Sequence, residues 1–502
     1  MQLNKLFSKL EIPALVLLLL LGFVVRLYRF DGPIADWHSW RQADTSAVSR
    51  NFVNNGFDIL HPRFEDLSNV ASGLDNPHGY RFVEFPIYNI LQAGFYKVFQ
   101  NFTLEEWGRL VTILASLTSS VFLFFIMRKR FGKLAGLLTS VFFIFIPFNI
   151  YYSRTILPDP LMVTAILGGI YFFDKWINSG KFFPTNSIRA GSRMENTIGT
   201  IFNFQFLVSL IFTALALLLK PYALFFTLPM IYISYEKFGF NFLKKWQLWI
   251  FLIFSIIPLG LWRFWMLQYP AGIPASAWLF NGNGIRFKGA FFYWIFADRI
   301  SRLILGYWGT ALIILGLVGK YKREDFIFVL SFVVSSLLYL TVIATGNVQH
   351  DYYQILIIPT LSILAGLGGV ALLQKVEGYR QYINYCVFIV CVLFTFFFGW
   401  YFVRDYFNIN NPSIIAAGQA VDKLTPKNAK VIANYNGDTS FLYQTKRDGW
   451  ASFEKPLPEM IQIGADYLVL VNPTSADLNL GKTYKIVSKT SEYVIFNLRQ
   501  KP

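Results

Sequence analysis

The residues with the greatest chemical potential are concentrated in a few short segments of this 502-residue chain. The densest segment runs from Asp36 to Asp44 and reads DWHSWRQAD. Arg154 and Asp159 follow in a second segment, and Lys220 lies in a third. Carboxylates that face basic residues suit the transfer of a group from an anionic leaving group, because a carboxylate can deprotonate the acceptor while cations hold the released phosphate. A fourth segment, His350 to Tyr353, combines polar and aromatic side chains.

Structural roles compete with these chemical ones. Trp and Arg of the first segment could anchor an interfacial helix whose end is capped by Asp. Asp159 stands between two prolines and could cap the helix that follows, with Pro160 at its first position. An HExxH motif, a Cys/His cluster, a G-x-S-x-G elbow and a Walker loop are all missing from the sequence, so a zinc hydrolase, a serine hydrolase or an NTPase is unsupported. Only Asp and Glu remain to bind a metal ion.

The composition predicts that hydrocarbon rather than water surrounds much of the chain. Hydrophobic residues make up 55% and charged residues only 15%, and the formal net charge is +16. Lys and Arg cluster between apolar runs, as membrane topology requires, which argues against nucleic-acid binding. The two cysteines, Cys386 and Cys391, lie in one apolar run on different helix faces and form no disulfide framework.

Hydropathy predicts about eleven membrane spans, of which the first is a retained signal anchor. The predicted spans are 12–29, 107–127, 134–150, 158–174, 201–219, 221–235, 247–266, 303–319, 326–344, 353–374 and 382–403.

Loop charge predicts the sidedness of these spans. If residues 85–99 stay out of the bilayer as an amphipathic surface helix, every short basic loop faces the cytosol. The basic residues of those loops are Arg128, Lys129, Arg130, Lys133, Lys175, Lys181, Arg189, Arg193, Lys237, Lys244, Lys245, Lys320, Lys322, Arg323, Lys375 and Arg380. The N-terminus is then cytosolic, the C-terminus is extracytosolic, and all the chemically interesting segments share the outer face of an inner (plasma) membrane protein.

Two domains are predicted. Residues 1–403 form an all-α polytopic membrane domain, whose first outer loop, about 30–106, carries amphipathic surface helices. Residues 404–502 form a small extracytosolic α/β domain, with strands in KVIANYN, DYLVLVN, YKIVS and YVIFNL and helices near 412–424 and 456–463.

The layout resembles the membrane glycosyltransferases of the GT-C fold, in particular the bacterial relatives of protein O-mannosyltransferases and the aminoarabinose transferases that modify lipid A. The most specific stretch runs from Arg50-Asn51-Phe52 through Gly56 to Pro62-Arg63, and then to Glu84-Phe85-Pro86. Asp159 is similar in position to the second acid of that family, and Lys220-Pro221 resembles its Lys-Gly or Lys-Pro turn. His350 to Tyr353 falls where family members place aromatic and basic residues near the lipid phosphate.

Two departures from the family pattern shift the implied site. The Asp-Glu pair of the family falls on Arg41-Gln42, so the nearest carboxylate, Asp44, is the expected base, with Asp36 second and Asp159 as orienting acid. The family lysine after the glutamate is Phe85 here. The expected donor and phosphate site therefore comprises Arg41, Arg81, Glu84, Arg154, Lys220, His350, Tyr352 and Tyr353, and the expected acceptor or loop support comprises His38, Gln42 and Arg63.

The resemblance implies inverting transfer of a single sugar from a polyprenyl-phosphate-linked donor to a lipid, glycan or protein acceptor on the extracytosolic side. No cofactor is required, and a divalent cation is allowed but not demanded. A transporter or lipid flippase is the main alternative, although such proteins place ionisable residues near the bilayer midplane, and the predicted spans carry few charges. A third possible function is that of a non-catalytic scaffold in an envelope assembly.

Overall fold

A computed structural model describes residues 2–179 and 203–502, with side chains from residue 11 onward. The predicted cytosolic residues Lys181, Arg189 and Arg193 lie outside the described residues.

Long apolar helices form the larger part of the molecule, and a small sheet follows them in the chain. The α-helices before the sheet are Gln2–Arg26, Ser39–Asn55, Ile87–Val98, Leu104–Phe131, Lys133–Phe145, Pro147–Tyr152, Asp159–Ile177, Phe204–Leu219, Leu228–Phe238, Trp246–Met266, Trp278–Asn281, Gly289–Phe292, Gly309–Val318, Arg323–Val342, Ala344–Gln349, Ile358–Leu373 and Arg380–Val403. Tighter 3₁₀ segments occupy Pro221–Thr227 and Asp351–Ile357, and a π-helix occupies Tyr293–Ile304.

Each of the eleven predicted spans overlaps helical structure in the described part of the chain. By length and composition, six of the described helices qualify as single membrane spans, or seven if the bent pair Gly289–Ile304 and Gly309–Val318 counts as one. Lys133–Phe145 and Phe204–Leu219 are apolar but shorter. The polytopic helical architecture is therefore confirmed, while the number eleven stays a prediction.

The segment predicted to stay out of the bilayer forms the helix Ile87–Val98, which at 12 residues is too short to cross. Its two amide side chains, Asn89 and Gln92, are buried against another helix. Asn89 Nδ2 donates to the Thr45 carbonyl at 2.6 Å, and Gln92 Nε2 donates to the Ser46 hydroxyl at 3.1 Å. These hydrogen bonds explain why an otherwise apolar segment carries amides.

The helix Ser39–Asn55 differs from the amphipathic surface helix predicted for the first outer loop. Eleven of its 17 residues are buried, because it packs between Ile87–Val98 and the helix Thr439–Thr445 of the C-terminal region. Arg41 and Asp44 are each only 3% exposed. The headgroup-anchor interpretation of this segment is therefore wrong. The helix ends at Gly56, whose φ of 93° favours glycine.

The C-terminal region contains a five-stranded sheet in the order β2-β1-β3-β5-β4. The strands are β1 (Val431–Ala433), β2 (Gly449–Trp450), β3 (Tyr467–Val471), β4 (Lys485–Lys489) and β5 (Tyr493–Asn497). β1 pairs in parallel with β2 and β3, and β5 pairs antiparallel with β3 and β4. The helices of this region are Pro412–Leu424, Thr439–Thr445, Leu457–Gln462 and Ser475–Leu478. The predicted α/β character is confirmed, although β2 and the helix Thr439–Thr445 were not foreseen.

Residues 65–67 extend this sheet from a distant part of the sequence. The Leu67 amide donates to the Gly449 carbonyl at 2.7 Å, and the Gly449 amide donates to the Glu65 carbonyl at 2.9 Å. The first outer loop thus pairs with β2 in parallel. This pairing, together with the contact between helices Ser39–Asn55 and Thr439–Thr445, fixes the C-terminal region against the segment that carries Asp44.

Candidate active site

Asp44 is held by side chains from two distant parts of the chain. Arg81 Nη2 donates to Asp44 Oδ2 at 2.5 Å, and Thr439 Oγ1 donates to Asp44 Oδ1 at 2.7 Å. The carboxylate is therefore oriented and almost fully buried at the edge of a cavity, as expected of a positioned base.

Arg41 lies one turn before Asp44 and makes a buried ion pair. Arg41 Nη2 lies 2.8 Å from both carboxylate oxygens of Glu84. The surrounding acids, Glu84 and Asp44 among them, raise the pKa of Arg41 above its usual range against the opposing effect of burial. Arg41 thus stays cationic beside Asp44, and the ion pair with Glu84 fixes the position of the Arg41 side chain.

Lys220 owes its position to the proline that follows it. The helix Phe204–Leu219 ends there because Pro221 disfavours the α conformation in the preceding residue, and Lys220 adopts an extended φ of −157°. Its ammonium lies 2.6 Å from Asp159 Oδ1 and 5.6 Å from the ring centres of both Tyr352 and Tyr353. Asp159 makes no capping hydrogen bond in its own helix, so the predicted capping role is wrong.

A cavity of 510 Å³ brings the central residues together. Its cationic lining comprises Arg41, Arg81, Lys220 and Arg263, and its acidic lining comprises Asp44 and Asp66. Apolar and aromatic side chains form much of the remaining wall, including those of Trp40, Phe82, Tyr222, Ile273, Trp278, Leu279, Phe280, His350, Tyr352 and Tyr353. An anionic headgroup with an apolar tail matches this division of the wall.

Arg263 was not foreseen as a site residue, because it stands in an apolar helix as a single cation. Among the described residues, its side chain donates only to the Met266 sulfur, at 3.7 Å, and no carboxylate lies within ion-pair distance. The other three cations of the wall each contact an acid. Arg263 is therefore the cation with most donors left for a ligand.

Asp66 is the second cavity carboxylate and was also not foreseen. Its oxygens accept from the Ser68 hydroxyl at 2.7 Å, the Ser68 amide at 3.1 Å and the Ala451 amide at 3.3 Å. Burial raises its pKa to about 6, against the lowering effect of these hydrogen bonds. Because its oxygens accept from Ser68 in the first outer loop and from Ala451 in the C-terminal region, Asp66 mainly ties these two parts of the chain together.

His350 faces the cavity in its neutral form. Burial and the neighbouring His38 lower its pKa to about 4. Its ring lies 5.8 Å from that of Trp278 and 5.7 Å from that of Tyr352, so it belongs to an aromatic wall rather than to the cationic one. The phosphate-binding role predicted for this side chain would have to use a neutral imidazole.

Asp351, missed by sequence reasoning, organises the loops behind that wall. His38 Nε2 lies 2.7 Å from Asp351 Oδ1, and the Tyr152 and Tyr406 hydroxyls donate to the same carboxylate at 2.5 and 2.6 Å. His38 adopts a left-handed φ of 52° to reach it. Only the proximity of Asp351 to His350 in the sequence could have suggested this residue.

Seven predicted residues do not line the cavity. Glu84 and Asp159 contact cations that do, and His38 contacts Asp351, whereas the other four have no such link. Asp36 and Arg154 form a buried ion pair of 2.7 Å, and Gln42 Nε2 donates to Asp36 Oδ1 at 2.7 Å. These three side chains connect loops to one another. Neither Asp36 nor Arg154 lines the cavity, so neither is placed to contact a ligand there. Arg63 is exposed and lies over the Tyr80 ring at 5.2 Å.

The fit of the site to a metal ion is poor. Within residues 2–179 and 203–502, no three His, Cys, Asp or Glu side chains are grouped as a metal site would require. Both cavity carboxylates already have partners, as described above. Binding of a divalent cation at this site therefore stays a prediction.

Comparisons with known proteins place this geometry in context. Residues 78–185 match the profile of the family described as dolichyl-phosphate-mannose-protein mannosyltransferase. Among solved structures, ArnT from Cupriavidus metallidurans bound to undecaprenyl phosphate is similar with a TM-score of 0.63 and 12% identity, covering 96% of this chain and 97% of that one. The apo oligosaccharyltransferase of Archaeoglobus fulgidus has a TM-score of 0.56 and 10% identity, covering 95% and 70%. No curated protein sequence is significantly similar.

The chain has the GT-C fold of membrane glycosyltransferases. The resemblance inferred from its sequence is thereby confirmed, and so are the helical membrane architecture and the small C-terminal sheet. Within the GT-C frame, the pair Lys220 and Asp159 joins the two motifs on which the resemblance partly rested.

Proposed function

We propose that this GT-C protein transfers one sugar from a polyprenyl-phosphate-linked donor to a lipid, glycan or protein hydroxyl, with inversion at the anomeric carbon. The observation that carries the proposal is the cavity whose wall contains Asp44 together with Arg41, Arg81, Lys220 and Arg263. A base beside an excess of cations suits displacement of a phosphate-bearing leaving group.

In the proposed reaction the acceptor oxygen attacks the anomeric carbon while the bond from that carbon to the phosphate oxygen breaks. The acceptor proton passes to Asp44, and the bonding electrons leave with the polyprenyl phosphate, which gains one negative charge. A single displacement on the face opposite the phosphate inverts the configuration. The carboxylate keeps free lone pairs for the acceptor hydroxyl, because Arg81 and Thr439 occupy one position on each oxygen.

The leaving phosphate is assigned to Lys220 and Arg263. Arg263 has no acidic partner among the described residues, and Lys220 can share its ammonium between Asp159 and a ligand because it has three donors. Asp159 would act through Lys220 rather than on the sugar, since it does not line the cavity. Tyr352, Tyr353 and Trp278 offer faces for the sugar or the first isoprene units.

The proposed sidedness follows from the loop charges, which favour a cavity on the extracytosolic face. A transporter or flippase is less favoured, because four cations and a buried carboxylate line one cavity whose wall also includes Thr439 and Gly437 of the C-terminal region.

Mass spectrometry of envelope glycans from cells with and without the gene tests the activity and identifies the acceptor. Complementation with Asp44→Asn tests the base, and Asp66→Asn is the matched comparison in the same cavity. We expect Asp44→Asn to abolish the glycan at normal protein levels and Asp66→Asn to retain most of it. Full glycan levels with Asp44→Asn would contradict the assignment of the base, and an unchanged envelope in the deletion strain would contradict the proposed function.

A further inference from the structure

A second and chemically different cavity lies among the helices Phe204–Leu219, Leu228–Phe238 and Trp246–Met266. It has a volume of 320 Å³, and its wall comprises Phe173, Thr213, Leu217, Leu224, Thr227, Met230, Ile231, Ser234, Phe242, Leu243, Leu248, Trp249, Phe251, Leu252, Ser255 and Ile256. We call it the lateral groove, because Leu224, Ile231, Leu252 and Ile256 of its wall are exposed on the flank of the molecule.

The lateral groove is apolar even at its hydroxyl-bearing residues. The hydroxyls of Thr213, Thr227, Ser234 and Ser255 each donate to a backbone carbonyl three or four residues earlier, at 2.7 to 2.9 Å. These donors are satisfied within the chain and do not require water or a polar ligand. The groove thus suits a hydrocarbon chain.

The chain path places the groove away from the proposed active site. Phe204–Leu219 ends at Lys220 in the catalytic cavity, Leu228–Phe238 runs away from that cavity, and Trp246–Met266 returns to Arg263. The connection between the two latter helices, Gly239–Lys244, therefore lies at the opposite end of the helices, and it supplies Phe242 and Leu243 to the groove.

Two lysines stand at that end of the groove. Lys237 follows Ser234 by three residues in the same helix, so it continues the stripe that lines the groove, and Lys244 follows Leu243 directly. Both are exposed, and neither lies within ion-pair distance of an acid in the described part of the chain. Trp249 and Tyr235 lie near the same end, as aromatic residues do at a membrane interface.

From these observations we infer that the lateral groove is a binding site for an anionic phospholipid, with an acyl chain in the groove and the headgroup phosphate at Lys237 and Lys244. Charge complementarity favours this occupant over a zwitterionic lipid, because each juxtamembrane lysine strengthens binding of an anionic surface or headgroup about fivefold. The loop-charge prediction places these lysines on the cytosolic leaflet, where anionic lipids are enriched.

Native mass spectrometry of the purified full-length protein, titrated with phosphatidylglycerol or phosphatidylcholine, tests the inference. We expect phosphatidylglycerol to bind about tenfold or more tightly than phosphatidylcholine, and Lys237→Gln with Lys244→Gln to abolish that difference. The matched control is Lys320→Gln with Lys322→Gln, which removes two exposed lysines elsewhere in the chain and is expected to preserve the difference. Equal loss of the preference for phosphatidylglycerol in both double variants would overturn the proposed site.

The groove itself is tested separately from the headgroup contacts. Ile231→Trp adds volume at an exposed wall residue and is expected to reduce binding of both phospholipids at least tenfold. Ile253→Trp is the control, since Ile253 is equally exposed in the neighbouring helix but does not line the groove. Retained binding in Ile231→Trp, with both proteins monodisperse, would overturn the inference, and so would preferential binding of undecaprenyl phosphate, which would assign the groove to a polyprenyl tail.

Discussion

Thr439 Oγ1 donates a hydrogen bond of 2.7 Å to Asp44 Oδ1 across 395 residues of sequence. The C-terminal region thus supplies a side chain to the proposed base, and its contribution can be measured. Thr439→Val removes the donor from a charged acceptor, so kcat/KM of the transfer reaction should fall about tenfold or more.

Two controls separate this effect from loss of domain contact. Thr439→Ser keeps a hydroxyl and should restore kcat/KM. Gln444→Ala removes another hydrogen bond between the same helix and the first outer loop, from Gln444 Nε2 to the Ile34 carbonyl, without touching Asp44, and should leave kcat/KM unchanged. An unchanged kcat/KM in Thr439→Val would show that Thr439 does not act through Asp44.

The buried pair Lys220 and Asp159 gives a prediction that separates stability from activity. Lys220→Gln leaves Asp159 buried without its partner, which should destabilise the protein by about 3–5 kcal/mol and eliminate transfer. In the double variant Lys220→Gln with Asp159→Asn, the unpaired buried charge is removed. This variant should recover much of the stability while transfer activity stays lost. Thermal unfolding and the transfer assay measure the two outcomes, and recovery of activity in the double variant would exclude Lys220 from binding the leaving phosphate.

Arg263 should behave differently, because no ion pair is broken when it is replaced. We expect Arg263→Gln to unfold at nearly the same temperature as the unmodified protein but to bind undecaprenyl phosphate about tenfold more weakly. Lys288→Gln is the control, because Lys288 is exposed and does not line the cavity. Equal phosphate-lipid affinity in Arg263→Gln and the control would remove Arg263 from the site.

His350 predicts a pH dependence of stability. Its pKa falls from 6.5 in the unfolded chain to about 4 in the folded protein, so the unfolded state binds more protons between these values. This shift contributes up to about 3 kcal/mol to the free energy of unfolding. The contribution is present above pH 6.5 and is lost as the pH falls toward 4. His350→Gln should therefore lose less stability than the unmodified protein between pH 6.5 and 4.5, measured by thermal unfolding, whereas parallel curves would contradict the assigned shift.

The sequence predicted the placement of the spans because a long apolar run has few alternatives to a membrane helix. It also predicted that Asp44, Arg41, Arg81 and Lys220 would come together, through loop charges and the family resemblance. It could not predict that Asp36 and Arg154 would form an ion pair with each other, since their pairing depends on how two loops meet. Arg263 and Thr439 were not predicted for the same reason, because each is an ordinary residue of its own segment and is brought to the cavity only by the fold.

The pairing of residues 65–67 with Gly449 has a consequence for biosynthesis. The ribosome must translate nearly four hundred further residues before the first outer loop can acquire its neighbouring strand, and Asp44 meets Thr439 only at that late stage. The proposed base is therefore assembled last, after the helices between have been made. Any product that terminates before Thr439 would lack the hydroxyl that contacts Asp44, so the proposed base would be left without one of its two partners.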